Sequence, residues 1–261
     1  MAGFFRDNDV LTCDGVPLSE IARAVGTPVY VYSRPAIEES YRAFDTAFAA
    51  VPHLVCYAAK ANSNLAILKL LASLGAGADV VSDGELRACL ESGFAPNRIV
   101  FSGVGKTDEE IRKGVAAGLL AFNAESEREM EKIDAEARRQ GKTARVALRV
   151  NPDIDAKTHP YISTGLKHNK FGVDIGMARG IFGRSRRWKN LTMTGVQAHI
   201  GSQILETAPL EETSRELAAL ARALAGEGFP LETLDIGGGF GVVHVLSGEM
   251  SREQLQEALG I

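Results

Sequence analysis

Short apolar runs alternate with stretches of helical period along most of this chain. Residues 54–59 are a mostly apolar run containing Val55, Cys56 and Tyr57, the pattern of a buried strand. The run ends at Lys60, and Asn62, Ser63 and Asn64 then supply turn and cap chemistry. Leu65, Ile67, Leu68, Leu70, Leu71 and Leu74 follow at helical spacing. The same strand-then-helix unit recurs, with further strands expected at 78–81, 98–103, 119–122, 145–150, within 191–199 and at 231–236. Helices are expected near 35–50, 84–91, 107–117, 126–140 and 209–224. Thr107-x-x-Glu110 reads as a capping box, and Gly141, Gly226 and Gly228 read as helix stops.

Seven strands separated by helices or long crossovers argue for a parallel sheet with helices outside, at the spacing of a (β/α)8 barrel. The eighth strand has only Val242 to Leu246 as a candidate, followed by a capping box at Ser251-Arg252-Glu253-Gln254 and a last helix. Residues 1–33 stand outside the repeat. Val10-Leu11-Thr12-Cys13 and Val29-Tyr30-Val31-Tyr32 read as strands there, with a short helix at 18–25 started by Pro17 and stopped by Gly26.

The 261 residues are 45% apolar and 24% charged, as in an ordinary globular protein. A net charge of -4 gives no reason to expect a nucleic acid or an anionic membrane as partner. Cys13, Cys56 and Cys89 form no C-x-x-C pair, so neither a disulfide framework nor a metal site is expected. The first residues lack a signal-peptide core and no run of about 18 apolar residues exists, which makes the cytoplasm the default location.

Lys60 carries the first candidate chemistry. At the carboxyl end of a parallel strand, where α/β proteins bind ligands, a partly desolvated amine can form a Schiff base with a carbonyl compound. Most lysines at strand ends are merely solvated. His199, in Gln197-Ala198-His199-Ile200-Gly201-Ser202-Gln203, lies at the end of another expected strand, where a hydrogen-bonded turn histidine is the plain alternative. Gly237-Gly238-Gly239 follows the last expected strand, and such a turn lets backbone N–H groups approach a phosphate. It is not the dinucleotide fingerprint, because Val242 stands where the third glycine would be. Arg149 ends the 145–150 strand, and Glu85 is accounted for by a Ser82-x-x-Glu85 capping box. The basic run 184–189 reads as a solvated helix face.

Tyr57-Ala58-Ala59-Lys60-Ala61-Asn62-Ser63-Asn64 resembles the Y-A-x-K-A-N-x-N signature of the fold-type III pyridoxal-phosphate decarboxylases. The loop 151–172, Asn151-Pro152-Asp153-Ile154-Asp155-Ala156-Lys157-Thr158-His159 onward, and His199-Ile200-Gly201-Ser202-Gln203 resemble the diaminopimelate decarboxylases among them. The likeness runs in order through Lys60, Asp79, Arg149, the loop, His199 to Ser202 and Gly237 to Gly239. It implies a (β/α)8 TIM-type barrel of the alanine racemase-like kind over residues 34–261, incomplete if 242–246 is not its eighth strand, with residues 1–33 a short β segment of a second domain. It also implies pyridoxal 5'-phosphate as cofactor and decarboxylation of meso-2,6-diaminopimelate to L-lysine. Lys60 would carry the cofactor, His199 would lie on its ring, Ser202, Gly237, Gly238 and Gly239 would hold its phosphate, and Asp79 and Arg149 would support the pocket. Intact members are homodimers that share active sites. Their E-P-G-R and C-E-S-x-D motifs are not found here, so this chain alone is expected to be a poor enzyme; a dead barrel and another fold-type III enzyme are the alternatives.

Overall fold

A computed structural model of the chain describes residues 3–155, 171–229 and 231–241. Contacts divide them between two units, residues 1–101 with 118–120 and residues 102–117 with 121–261.

The first unit begins with an antiparallel sheet of β1 (Phe4–Asp7), β2 (Val10–Cys13) and β3 (Val16–Pro17). Its two hairpins turn at Asn8-Asp9 and Asp14-Gly15, where all four residues have positive φ, as tight two-residue turns require. The expected strand at 10–13 is present; β1 was not expected, although Asn8-Asp9 marks its turn. The helix α1 (Leu18–Val25) starts after Pro17 and stops at Gly26, as the sequence predicts. The strand expected at Val29 to Tyr32 does not form. Pro28 withholds a backbone donor there and Tyr30 is 86% exposed, so the run lacks the burial that would hold it in a sheet. In α2 (Arg34–Ala47), Ser33 caps the first turn through Ala36 N.

The repeat then begins with β4 (Cys56–Ala58), α3 (Leu65–Ser73), β5 (Gly77–Val80), α4 (Asp83–Glu91) and β6 (Ile99–Phe101). The strands run parallel, with Ala58 beside Asp79 and Asp79 beside Val100. Leu68 and Leu71 of α3, Leu86 and Cys89 of α4, and Ala78, Val80, Ile99 and Phe101 are buried together in this unit's core. Each such large side chain contributes about 2 kcal/mol of burial.

The second unit continues with α5 (Asp108–Ala117), β7 (Ala121–Ala124), α6 (Glu127–Arg139), β8 (Ala144–Asn151), β9 (Val173–Asp174), α7 (Ala178–Ser185), β10 (Leu191–Gln197), α8 (Ala208–Gly226) and β11 (Thr233–Asp235). Its parallel strands are ordered β11-β10-β8-β7, and β9 pairs with the end of β8. Thr107 and Glu110 close the expected capping box on α5 in both directions. The basic run does end a helix, but Arg184 and Arg187 are paired with Glu127 and Glu131 rather than simply solvated. The seven strands of the repeat are all found; the candidate eighth strand at 242–246 and the helix after it lie outside the described residues.

One irregularity sets the phase of the second unit's sheet. Met193 pairs with Val146, but Gly195 pairs with Ala147, so Thr194 is an extra residue in β10. Beyond it Gln197 stands beside both Arg149 and Asp235. Without the bulge the side chain beside Arg149 would be Val196, and Gln197 would project from the opposite face.

Candidate active site

In the first unit, Lys60 lies in the tight turn Ala59–Ala61 directly after β4. The Tyr57 hydroxyl donates to the Asn62 carbonyl at 3.2 Å and braces that turn. Asn62 Oδ1 accepts from Asn64 N at 3.0 Å, and Asn64 Oδ1 accepts from Ala66 N at 2.9 Å to cap α3. The polar run therefore does the turn and cap work expected of it. Lys60 itself is exposed, not partly desolvated as its place after an apolar strand suggested. Asp79 sits on β5, beside the Ala58 that precedes the Lys60 turn. Glu85 bonds Val81 N at 2.9 Å while Ser82 Oγ accepts from Glu85 N, so its carboxylate is used in capping α4.

In the second unit, Arg149, Gln197 and Asp235 share one level at the carboxyl ends of β8, β10 and β11. Two residues earlier on the same face stand Asn123, Ala147, Gly195 and Thr233. Asn123 Nδ2 donates to Asp235 Oδ2 at 3.2 Å. On a flat sheet β7 and β11 would be about 14 Å apart, three strand spacings. The sheet must therefore curl, with this face concave, and the small Ala147 and Gly195 between them leave room for the bond. Asn123 also donates to Ser102 Oγ at 3.0 Å.

Asp235 in turn shapes the glycine turn. Its Oδ1 accepts from Gly237 N at 2.8 Å, and the Asp235 carbonyl accepts from Ala198 N at 2.9 Å. Desolvation pushes the Asp235 carboxyl above its ordinary value, against the opposing pull of the Gly237 N–H, Asn123 and Arg149. Gly237 and Gly239 have φ of +73° and +92°, and a Cβ on either would overlap the backbone of Ala198 or Gly201. A Cβ on Gly238 would meet nothing, so the turn is flush with the 198–201 backbone on one side and open on the other. Gly238 N donates to His199 Nδ1 at 3.4 Å, which leaves Nε2 as the proton-bearing nitrogen in this arrangement. Ile204 N bonds the Gly239 carbonyl at 2.8 Å, closing the loop that carries the exposed Ser202. The structure thus brings His199, the loop of Ser202 and the three glycines together.

Arg149 is held differently from the simple surface arginine. Its Nη1 donates to Glu125 Oε1 at 2.6 Å, with both side chains about nine-tenths buried. Glu125 Oε2 accepts from Gly172 N at 2.8 Å, and the guanidinium lies 5.2 Å from the centre of the Phe171 ring. Beneath this, Lys106 is buried and donates to Glu129 at 2.7 Å, to the Asn123 carbonyl at 2.8 Å and to the Gly103 carbonyl at 2.9 Å. Glu129 reaches back to Glu125 N at 3.0 Å. Asn123, Glu125, Lys106 and Asp235 were missed by sequence reading. The alternation Asn123-x-Glu125 was the available signal, hidden because the strand was expected to end at Phe122.

Most of the distinctive loop, residues 156–170 with His159 and His168, lies outside the described residues. Among those described, no cluster of three or more His, Cys, Asp or Glu side chains could hold a metal ion, and no helix is long and apolar enough to cross a membrane.

The chain's similarities agree with this arrangement. Residues 34–260 match the family described as pyridoxal-dependent decarboxylase, pyridoxal binding domain. A diaminopimelate decarboxylase of Pseudomonas aeruginosa is 50% identical over 91% of this chain and 57% of its own length. One of Vibrio cholerae is 45% identical over 92% and 58% respectively. Helicobacter pylori diaminopimelate decarboxylase (I148L mutant), solved in complex with L-lysine, superimposes with a TM-score of 0.84 at 44% identity, covering 86% of this chain and 57% of that one. The M. jannaschii enzyme, also solved with L-lysine, gives 0.87 at 38% identity, covering 99% and 62%. The chain therefore spans less than two thirds of the length of these relatives. Their likeness assigns it to the α/β TIM-type barrel class expected from its alternation. With its repeat, its glycine turn and a family match over residues 34–260, the chain belongs to the pyridoxal-dependent decarboxylases, over their pyridoxal-binding domain.

Proposed function

We propose that this chain is the cofactor-binding part of a pyridoxal 5'-phosphate-dependent carboxy-lyase that converts meso-2,6-diaminopimelate to L-lysine and CO2, in lysine biosynthesis. The observation that carries the reading is the glycine turn locked onto the 198–201 backbone and the His199 ring, in a chain half identical to a diaminopimelate decarboxylase. The residues present fit the cofactor: the turn is open at Gly238, where a phosphate can approach backbone, and the Ser202 hydroxyl is exposed on the adjoining loop.

When bound, pyridoxal phosphate supplies an electron sink for the pair of electrons left as a carboxylate departs as CO2. Lys60 would hold the aldehyde carbon through its amine and, once the substrate amine had replaced it, would be free to move a proton. Its exposed position in a braced turn leaves the amine accessible for that exchange. His199 would cover the ring and exclude water. Ser202, Gly237, Gly238 and Gly239 would line the phosphate site. The Ser202 hydroxyl and the Gly239 N–H would donate to it, and the Gly238 N–H would exchange its long bond to His199 for it. Gly237, tied to Asp235, would shape the turn. Arg149, kept in place by Glu125, and Asp79 orient the ring.

Residues 1–33 form part of a second, β domain, which the exposure of Phe4, Val10, Leu11 and Val16 supports, and residues 34–261 form the barrel. The working enzyme is a cytoplasmic homodimer. The test is titration of the purified chain with pyridoxal phosphate, followed by borohydride reduction and peptide mapping. A visible absorbance band and a label fixed on Lys60, both lost in Lys60→Ala, are expected. No Lys60-dependent label would overturn the reading. Release of CO2 from meso-diaminopimelate rather than from L-ornithine or L-arginine tests the substrate.

A further inference from the structure

Gln197 ends β10 and is 5% exposed. Its side-chain oxygen is buried without a hydrogen-bond partner, and it is the one such atom among the described residues of the second unit. Leaving an acceptor buried and unmade is costly, so natural structures rarely do so without a use for it. The neighbours on the same level are all satisfied. Arg149 is held by Glu125, and Asp235 by Asn123 and Gly237 N. Gln197 stands between them on the concave face, and it faces that way only because of the bulge at Thr194. It is also two residues before His199, whose ring takes the Gly238 N–H. The unmet acceptor is therefore placed in the tier that carries the glycine turn.

We infer that Gln197 is a further ligand-contacting residue of this site, its carboxamide oxygen accepting a hydrogen bond from an N–H or O–H on the ring portion of the bound pyridoxal. The inference rests on the proposed cofactor chemistry. A carboxamide suits this role because it offers a neutral acceptor in a pocket that must also admit a phosphate dianion. A second carboxylate beside Asp235 would add like charge there.

A purely structural glutamine and a ligand-contacting one predict opposite signs in two measurements. In the ligand-free chain, Gln197→Leu removes an unsatisfied buried acceptor and adds apolar contact. Its melting temperature is expected to rise by about 2–4 °C. In the loaded chain the same substitution removes a contact, so pyridoxal phosphate is expected to bind about tenfold more weakly, equivalent to 1.4 kcal/mol. Gln197→Met, unbranched and of similar length, is measured beside it in case the branched side chain does not pack. Dissociation constants come from absorbance titration. Borohydride trapping with unphosphorylated pyridoxal serves as a second probe.

Weakening of both pyridoxal phosphate and pyridoxal, with no loss of ligand-free stability, supports the inference. Weakening confined to the phosphorylated compound would mean a phosphate contact and overturns the ring assignment. Unchanged affinity in both variants, or a melting temperature that falls in step with affinity, overturns it as well. Failure of the unsubstituted chain to bind pyridoxal phosphate would instead sink the cofactor reading, and this inference with it. Loading by the unsubstituted chain alongside indifferent Gln197 variants sinks only the inference.

Discussion

Replacing Glu125 by alanine tests the buried pair that holds Arg149 in the second unit. The Arg149 and Glu125 side chains are 10% and 7% exposed, and their closest N–O distance is 2.6 Å. Removal of one partner leaves a guanidinium that is buried and uncompensated, which costs about 3–5 kcal/mol. The Gly172 N–H loses its acceptor in the same step, so the upper half of that range is expected. At about 2 °C per kcal/mol for a chain of this size, the melting temperature should fall by about 8–10 °C. Thermal unfolding at pH 7 would be measured for Glu125→Ala, Arg149→Met and the double variant. Methionine keeps most of the apolar stem against Phe171 and removes the charge, so the double variant should cost at least about 2 kcal/mol less than the sum of the singles. A loss below about 1 kcal/mol for Glu125→Ala, or strict additivity in the cycle, would refute the claim that this pair is desolvated and energetically coupled.

Other substitutions report on neighbouring features. Lys106→Met strands Glu129 and two carbonyls in a buried position and should cost about 3–4 kcal/mol by urea denaturation; a cost under about 1 kcal/mol would mean water reaches the Lys106 amine. Gly239→Ala puts a Cβ into the Gly201 carbonyl at a positive φ, so cofactor affinity should collapse by at least about tenfold while far-ultraviolet circular dichroism is little changed. The Arg184 hydrogen bond holds the Glu127 carboxyl below its ordinary value. Its stabilisation is therefore complete above the unfolded value of about 4.3 and is lost as pH falls through the lower folded value. Glu127→Gln should accordingly cost about 0.5–1 kcal/mol at pH 7, discounted for partial exposure, and nothing near pH 2. Asp235 has the opposite sign: its carboxyl is raised, so the charged form costs stability above the folded value. Asp235→Asn keeps the acceptor for Gly237 N and should be at least as stable as the parent at pH 7, with the gap closing on acidification; a fixed deficit at every pH would contradict this.

What could be read from the chain was what local chemistry decides. The α1 boundaries follow from Pro17 and Gly26, the α3 start from Asn64, and the α5 start from the Thr107–Glu110 box, each a contact within four residues. The Val29 to Tyr32 run shows the limit of that approach. Its apolar and β-branched residues fit a strand, but a strand exists only where backbone donors find a partner, and nothing within the run says whether one is available. The N-terminal hairpin failed in the opposite direction: Phe4–Asp7 is too polar to look like a strand, yet Asn8-Asp9 folds it back onto β2.

The site divides along the same line. Lys60, His199 and the glycine turn are legible because each is a strand end followed by turn residues, and turns are written locally. The groups that hold those residues are not, because they meet only when strands far apart in sequence take a particular register. Asn123 and Asp235 are 112 positions apart and touch across a curled sheet. Gln197 faces Arg149 because one extra residue at Thr194 reverses the alternation of β10. Read from period two alone, without the bulge, Val196 would share the face of Arg149 and the glutamine would point away from it. A one-residue insertion in a ladder thus decides which side chains share the concave face with the glycine turn. Deleting Val196, just beyond the bulge, should move Gln197 to the level of Leu148, turn it to the other face and separate cofactor affinity from fold. If the shortened β10 keeps its helices by circular dichroism but loses pyridoxal phosphate binding, register is the controlling variable. If binding survives the deletion, the tier of Arg149, Gln197 and Asp235 does not carry the site, and the motif residues alone suffice.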